Sequence, residues 1–207
     1  MPVDGRLVVN AVVGSVAPVA GSSSAYDAGV LPIRQLLPRE GNESALHPVL
    51  VSDETLLSEC DVKRLRRGGP GGQHRNKVET AVRLTHRPSG QIAEASEARS
   101  QLENRKVALR RLRFRLAMHV RTPPVDDPHW HEVTRDRKIA ATPDARTGPQ
   151  LVAHVFNVLD AVDQDDAAAA KLLEVSRSQL SRFLKADRTV LAAANQLRES
   201  AGMRPLR

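Results

Sequence analysis

The first half of the chain alternates apolar and polar residues in two short runs. Alternation at period two covers Cys60–Leu65 and Ala81–Thr85, and after a Pro-Ser-Gly turn at 88–90 the run Gln91–Ala95 is the expected return strand. Alternation of this kind predicts half-buried β-strands. The short turn predicts that the second and third strands are antiparallel neighbours.

Apolar residues at three- and four-residue spacings predict helices on both sides of this sheet. Ser52, followed by two acids, is the predicted N-cap of a short helix carrying Leu56 and Leu57, and the folded core is expected to begin near Ser52. Residues 97–120 form the clearest helix, with an apolar stripe on one side and basic residues on the other. The stripe consists of Ala98, Leu102, Leu109, Leu112, Leu116 and Val120. We expect it to pack on the sheet.

Prolines end this helix, and residues 122–146 are predicted to be a connector with some extended character. Trp130 is expected to dock the connector onto a domain. The flanking His129 and His131 would suit a metal ion if they lay on a strand, but no third ligand is apparent in the sequence. We therefore predict no metal site.

The C-terminal residues are predicted to be helical. One apolar helix follows Thr147, and a second covers Asp166–Glu174. Ser176 begins a capping box, Asp187 is the expected cap of a last helix, and Gly202 is a plausible stop.

These patterns predict an α+β protein. Residues 46–121 are expected to form a small β-sheet domain packed on the long basic helix, and 147–207 a small all-α domain after the connector. Residues 1–45, rich in Val, Ala, Gly and Ser, are expected to be a disordered arm. The span 168–184 is similar to the core of a helix-turn-helix unit, for which nucleic-acid contact and plain packing both stay open.

Charge narrows the class of partner. The 207 residues carry a net charge of +7, and 25 of the 31 basic residues are arginines, whose planar guanidinium suits bidentate contact with phosphate. Such a balance predicts nucleic acid or an anionic membrane as partner. No apolar run approaches the roughly 20 residues of a membrane-spanning helix. We therefore expect nucleic acid, and no membrane, as the partner.

Cysteine and aromatic content narrow the class further. A single cysteine, Cys60, cannot form an internal disulfide, which fits a reducing cytosol and predicts a cytoplasmic location. Aromatic residues make up 2% of the chain, which disfavours a sheet that stacks bases on aromatic rings. Contact is therefore expected to rest on arginine, backbone and shape.

A glycine-rich loop between the first two strands is the most specific feature. Gly68, Gly69, Gly71 and Gly72 fall within five positions, and Gln73 follows them with basic residues on both sides. Glycine weakens helices and strands, and it lets another backbone come close. Such a loop suits the placement of one amide beside a reacting centre that is surrounded by phosphates.

The sequence Gly69–His86 resembles, almost residue for residue, the catalytic domain of class I peptide chain release factors. Arg99-Ser100-Gln101 and Asn104-Arg105 are similar to a second signature of that family, and the resemblance covers roughly residues 52–120. Arg75 and the Gly68-Gly69 pair depart from the family pattern outside the tripeptide.

The resemblance implies a ribosome-dependent enzyme that hydrolyses the ester between a nascent peptide and its transfer RNA. The implied catalytic residues are Gly71, Gly72 and Gln73, and water is the nucleophile, so no cofactor is expected. The implied RNA contacts are Arg66, Arg67, His74, Arg75, Asn76, Lys77, Arg99, Arg105, Lys106, Arg110 and Arg113. The implied partners are the ribosome, with its large-subunit RNA and peptidyl-tRNA, and a glutamine methyltransferase acting on Gln73.

We expect a monomer that frees stalled ribosomes without reading a codon, because the C-terminal region does not resemble the domain that reads stop codons. The C-terminal tail, Arg204-Pro-Leu-Arg207, is short beside the basic tails of small rescue factors in the family. Two alternatives stay open. One is a non-catalytic RNA-binding or ribosome-binding module, and the other is a helix-turn-helix regulator that binds nucleic acid.

Overall fold

A computed structural model describes residues 46–65 and 80–206, and this part of the chain combines helices with small antiparallel sheets, as an α+β fold requires. The helices are α1 (Asp53–Ser58), α2 (Gln101–His119), α3 (Pro128–Val133), α4 (Gly148–Ala161), α5 (Asp166–Leu172), α6 (Arg177–Lys185) and α7 (Arg188–Ser200). The strands are β1 (Cys60–Leu65), β2 (Ala81–His86), β3 (Ile92–Ala95), β4 (Thr134–Arg135) and β5 (Lys138–Ile139).

The predicted sheet is confirmed as three antiparallel strands in the order β1-β2-β3. Helix α2 packs across β2 and β3 and leaves β1 at the edge. Within β1 only Cys60 is buried, Leu65 is half-buried, and the four residues between them are exposed. Strand β1 therefore forms the uncovered edge of the sheet, whereas β2 beside it is largely buried.

The long helix is confirmed, but its first turn differs from the prediction. Ser100 caps it, with its Oγ accepting from the backbone N–H of Glu103, so the helix begins at Gln101 rather than 97. Leu102, which we had placed in the apolar stripe, is 62% exposed, and the first buried position is Asn104. The first turn lies beside backbone groups of Thr80 and Ala98 that require a polar partner, and Asn104 rather than a leucine provides it.

The folded core begins before Ser52. His47 is buried against the end of α2, where its Nε2 lies 3.2 Å from the carbonyl oxygen of Val120. Val49 is buried as well, and Ser52 caps α1 as predicted by accepting from the backbone N–H of Thr55. The expected domain began at residue 46, but the burial of His47 and Val49 was not predicted, because the partner of His47 lies some 70 residues away in sequence.

The connector contains regular structure that the sequence pattern did not predict. Asp127 caps the six-residue helix α3, with proline in its first turn, and α3 leads directly into the β4–β5 hairpin. Trp130 docks α3 as expected: it is 2% exposed, and its Nε1 donates to the carbonyl oxygen of Leu173 at 3.0 Å. His129 and His131 lie on this helix rather than on a strand.

Four helices follow the connector, and the predicted caps are confirmed. Ser176 accepts from the backbone N–H of Gln179, Asp187 accepts from Thr189 and Val190, and Gly202 follows α7 with a positive φ of 72°. Buried side chains of the described residues, from the N-terminal segment to α7, form one hydrophobic core in which α4 packs on α2. The division into domains at 46–121, 122–146 and 147–207 stays a prediction, although this core crosses the later boundaries.

Candidate functional site

The β1–β2 hairpin carries the glycine-rich segment of the sequence. Leu65, the last residue of β1, pairs directly with Ala81, the first residue of β2, so the intervening segment leaves and re-enters the fold at one place. The predicted catalytic residues Gly71, Gly72 and Gln73 lie in this segment and outside the described residues. The same holds for the predicted RNA contacts Arg66, Arg67, His74, Arg75, Asn76 and Lys77.

Asn104 fixes the end of this segment to helix α2. It is fully buried, and its Nδ2 donates to the carbonyl oxygens of Thr80 at 2.7 Å and Ala98 at 2.9 Å. Its Oδ1 accepts from the backbone N–H of Ala98 at 2.9 Å. One side chain thus satisfies three backbone groups and holds the residue that precedes β2.

Exposed cations line the hairpin itself. Lys63 and Arg64 are exposed on β1, and Lys63 lies directly opposite Arg83 of β2. Arg83 forms an ion pair with Glu94 on β3. Sequence reasoning omitted Lys63 and Arg64 from the RNA contacts, although their place in the strand that leads into the glycines was a signal that could have found them.

The predicted RNA contacts on and before α2 fall into two groups. Arg99, Arg105 and Lys106 are exposed. Arg110 is exposed and donates to the carbonyl oxygen of Asp144 at 2.8 Å. The Arg113 side chain is 17% exposed, and its guanidinium donates to the carbonyls of Val49 and Val51 and to the carboxylate of Asp53. Arg113 therefore holds the N-terminal segment of the described residues against α2.

The far end of the hairpin is a structural anchor. His86 is 1% exposed, with Nδ1 2.6 Å from Ser89 Oγ and Nε2 3.1 Å from Glu59 Oε2. Cys60 is buried, its Sγ donates to the carbonyl oxygen of Leu56, and burial raises the pKa of its thiol. Both residues lie at the opposite end of the strands from the glycine-rich segment, and a raised thiol pKa makes Cys60 a poor nucleophile.

Within 46–65 and 80–206, no group of three His, Cys, Asp or Glu side chains is arranged to hold a metal ion. His129 pairs with Glu132 at 3.3 Å, and His131 with Asp126 at 2.6 Å. None of the helices in these two ranges combines the length and the apolar character needed to cross a membrane.

The site is therefore a β-hairpin with one exposed strand that carries Lys63 and Arg64, joined to α2 through a buried asparagine. Arginine and lysine side chains on exposed strands can contact phosphates, and a glycine-rich segment between paired strand ends can bring main-chain N–H groups close to a ligand. The described part of the hairpin provides positive charge, and its strand ends next to the glycine-rich segment are held in place by Asn104 and by the pairing of Leu65 with Ala81.

The part of the chain that contains this hairpin and α2 is similar to known proteins. Residues 54–146 match the family model of the RF-1 domain. The chain is 39% identical to peptide chain release factor 1 of Chlorobaculum tepidum over 102 residues, which is 44% of this chain and 28% of the relative. It is 59% identical to peptide chain release factor 1 of Chloroherpeton thalassium over 51 residues, which is 25% of this chain and 14% of the relative.

The chain thus spans less than a third of the length of these relatives. The matched residues include the β1–β2 hairpin, the glycine-rich segment and all of α2. Residues 54–146 therefore match the RF-1 domain, and this part of the chain is similar to part of peptide chain release factor 1.

Proposed function

We propose that this protein hydrolyses the ester bond of peptidyl-tRNA on the ribosome, as a release factor does. The observation that carries the proposal is a Gly-Gly-Gln tripeptide between two paired strands, the first of which carries the exposed cations Lys63 and Arg64, within a match to the RF-1 domain. The pairing of Leu65 with Ala81 supports it, because both ends of the segment are held at the end of the sheet.

In the proposed reaction, water attacks the ester carbonyl and negative charge develops on its oxygen. The backbone N–H of Gln73 stabilises that charge and the departing ribose oxygen, and its side chain seats the water. Gly71 and Gly72 give the backbone the slenderness and geometry to enter the peptidyl-transferase centre. A preorganised donor of this kind is typically worth about 3 to 4 kcal/mol of barrier.

Contacts with ribosomal and transfer RNA are proposed for the basic residues around the tripeptide. In the segment outside the described residues these are Arg66, Arg67, His74, Arg75, Asn76 and Lys77. Among the described residues, exposure favours Arg99, Arg105 and Lys106 over Arg110 and Arg113, whose guanidinium groups already bind backbone carbonyls. We propose RNA contacts for Lys63 and Arg64 as well, because both are exposed cations on β1, the strand that leads into the glycine-rich segment.

We further propose that the protein acts as a cytoplasmic monomer that rescues stalled ribosomes without reading a codon. The RF-1 match ends at 146, and the helices beyond it did not resemble the stop-codon-reading domain in the sequence. Methylation of Gln73 by a partner enzyme belongs to the same proposal.

The test is release of labelled peptide from two ribosomal complexes. In the first complex the ribosomes are halted at the end of a truncated message, and in the second they are paused at a stop codon. Rescue predicts faster release from the first complex. Equal rates on both, or release at the stop codon alone, would contradict codon-independent rescue.

The catalytic assignment is tested with Gln73→Ala and with a Gly72 substitution. Both should abolish release while ribosome binding stays measurable. Gln196→Ala is the matched control, because Gln196 is an exposed glutamine on α7. Full release by Gln73→Ala would remove the catalytic role and leave a binding module.

A further inference from the structure

A groove between the β4–β5 hairpin and helix α6 lies apart from the Gly-Gly-Gln hairpin. It measures about 550 Å³, and its cationic side chains are Arg135, Lys138 and Arg182. Gln179 lies one turn before Arg182, so both fall on the same side of α6. Glu132 and Asp136 line the groove as well.

The groove has a fixed shape. The backbone N–H of Ser176, the cap of α6, donates to the carbonyl oxygen of Arg137 in the hairpin turn at 3.1 Å, and β5 packs on α6. Trp130 fastens the preceding helix α3 to the carbonyl of Leu173, just before that cap. The hairpin and the helix therefore form one rigid unit.

Positive charge dominates the two elements that form the groove. Together β4–β5 with its turn and α6 carry six cations and one acid. Of these cations, Arg177 is paired with Asp166. Arg135, Arg137, Lys138, Arg182 and Lys185 are exposed and form no ion pair with the described residues. Glu132, one of the two acids that line the groove, is paired with His129.

The hairpin keeps two features that cost stability. Arg135 and Lys138 lie directly opposite each other in the register, and like charges in that position repel. The turn places Asp136 and Arg137 at φ values of 50° and 60°, where glycine or asparagine is favoured. Locally unfavourable choices of this kind are expected where a surface binds a ligand.

We propose that this groove binds the phosphate backbone of single-stranded RNA, as a second nucleic-acid surface beside the Gly-Gly-Gln hairpin. The choice of RNA rests on the proposed ribosomal function, whereas the charge and geometry rest on the groove alone. Trp130 and Phe183, the aromatic residues nearest the groove in sequence, are buried and offer no surface for base stacking. Binding is therefore independent of sequence and strongly dependent on salt.

The experiment measures fluorescence anisotropy of a labelled oligouridine with the full chain between about 50 and 200 mM salt. The groove variant combines Arg135→Gln, Lys138→Gln and Arg182→Gln. The control combines Arg146→Gln, Lys171→Gln and Arg204→Gln, which are also exposed and leave the protein with the same net charge. Melting curves check that both variants are folded.

The groove variant should lose at least about tenfold in affinity, and the slope of log K against log salt should become shallower by about 2, since each phosphate contact with a single strand contributes about 0.7. The control should retain nearly the whole slope. Asp136→Asn removes the acid at the turn and introduces a residue that tolerates positive φ, so it should bind about twofold more tightly.

Equal affinity and slope for groove variant and control would overturn the proposal, and so would tighter binding to duplex DNA than to RNA. The release assay with Gln73→Ala is independent of this measurement. Full release by Gln73→Ala would remove the catalytic role and leave the groove result standing, whereas equal RNA binding by the groove variant and its control would leave the proposed release function standing.

Discussion

A single buried asparagine joins the candidate site to the core. Asn104 is the one polar side chain on the inner face of α2 among the described residues, and it satisfies backbone groups of Thr80 and Ala98. Unpaired backbone groups in the interior are costly, so the fold depends on this side chain at the base of the hairpin.

Asn104→Ala should lower the free energy of unfolding by about 3 kcal/mol, because it leaves three backbone groups without a partner. Urea unfolding measures the change. Asn195→Ala is the matched control: this asparagine also exchanges two hydrogen bonds, with Leu206, but it is only partly buried. An equal, small loss for both variants would show that Asn104 is not an anchor.

Two buried histidines couple stability to pH. Burial is the main cause that lowers the pKa of His47 to about 4, with a smaller lowering from nearby Arg121 and a small opposing effect of its bond to Val120. Burial also lowers the pKa of His154 to about 4, against the attraction of Asp127. Both side chains are therefore neutral in the folded protein at neutral pH.

The unfolded chain protonates these histidines near pH 6.5, whereas the folded chain does so only near pH 4. The unfolded state therefore binds more protons between these values, and stability should fall as the pH is lowered through this window. The loss should be on the order of 2 kcal/mol per histidine between pH about 7 and about 5. Urea unfolding at several pH values measures it.

His47→Gln should reduce this pH dependence by roughly half, since glutamine does not titrate. An unchanged slope in that variant would assign the effect to other groups. Measurements at constant temperature and ionic strength keep the screening of surface charges the same at every pH.

Arg113 shows what the sequence could not predict at this scale. Its spacing placed it with the basic residues of α2, and that assignment follows from helix geometry alone. Its partners at Val49, Val51 and Asp53 lie about 60 residues earlier in the chain. A pattern within one helix carries no information on such a contact, so the same spacing describes an RNA contact and a structural tie.

At the scale of elements, predictability followed length. The strands β1 and β2 and the helix α2 were found because alternation or helical spacing repeats within each, whereas β3 was predicted from the turn that precedes it. The six-residue helix α3 and the two-residue strands β4 and β5 are too short to repeat either pattern. The tripeptide of the candidate site was found from its residue types, which need no periodicity.

Substitution of Trp130 tests whether helix α3 anchors the connector to the C-terminal helices. It packs against His154 at 5.3 Å between ring centroids and edge-on against Phe183 at 6.2 Å, so it joins α3 to α4 and α6. Trp130→Ala should destabilise the protein by about 4 kcal/mol. Trp130→Phe should destabilise it by about 1 to 2 kcal/mol, since phenylalanine keeps an aromatic ring but lacks the indole N–H donor.

Circular dichroism in urea measures both Trp130 variants. The matched aromatic control is Phe114→Leu, at a half-buried position on α2, for which a loss below about 1.5 kcal/mol is expected. If Trp130→Ala costs no more than that control, α3 does not anchor the connector.

At the scale of the whole molecule, one core links the RF-1 domain to the C-terminal helices. Helix α4 packs on α2, and Arg121 lies over the ring of Phe156 at 4.8 Å while donating to carbonyls at the end of α2. A shared core favours cooperative unfolding, because neither part can expose its face without disturbing the other.

We therefore predict a single unfolding transition. Trp130, the one tryptophan of the chain, reports on the C-terminal helices by fluorescence, and circular dichroism reports on all of the helices. The two curves should coincide in urea. Separate midpoints would instead support independent domains on either side of 122–146, as the sequence had suggested.

The edge position of β1 gives the protein a way to vary its reach. Because Asp61 to Arg64 are exposed, they lie outside the buried core, and their number is not dictated by it. Each pair of residues added to both strands would carry the glycines about 7 Å farther out and keep every side chain on its original face. Such additions would lengthen the reach of the proposed catalytic tripeptide as long as Asn104 keeps its hydrogen bond to Thr80.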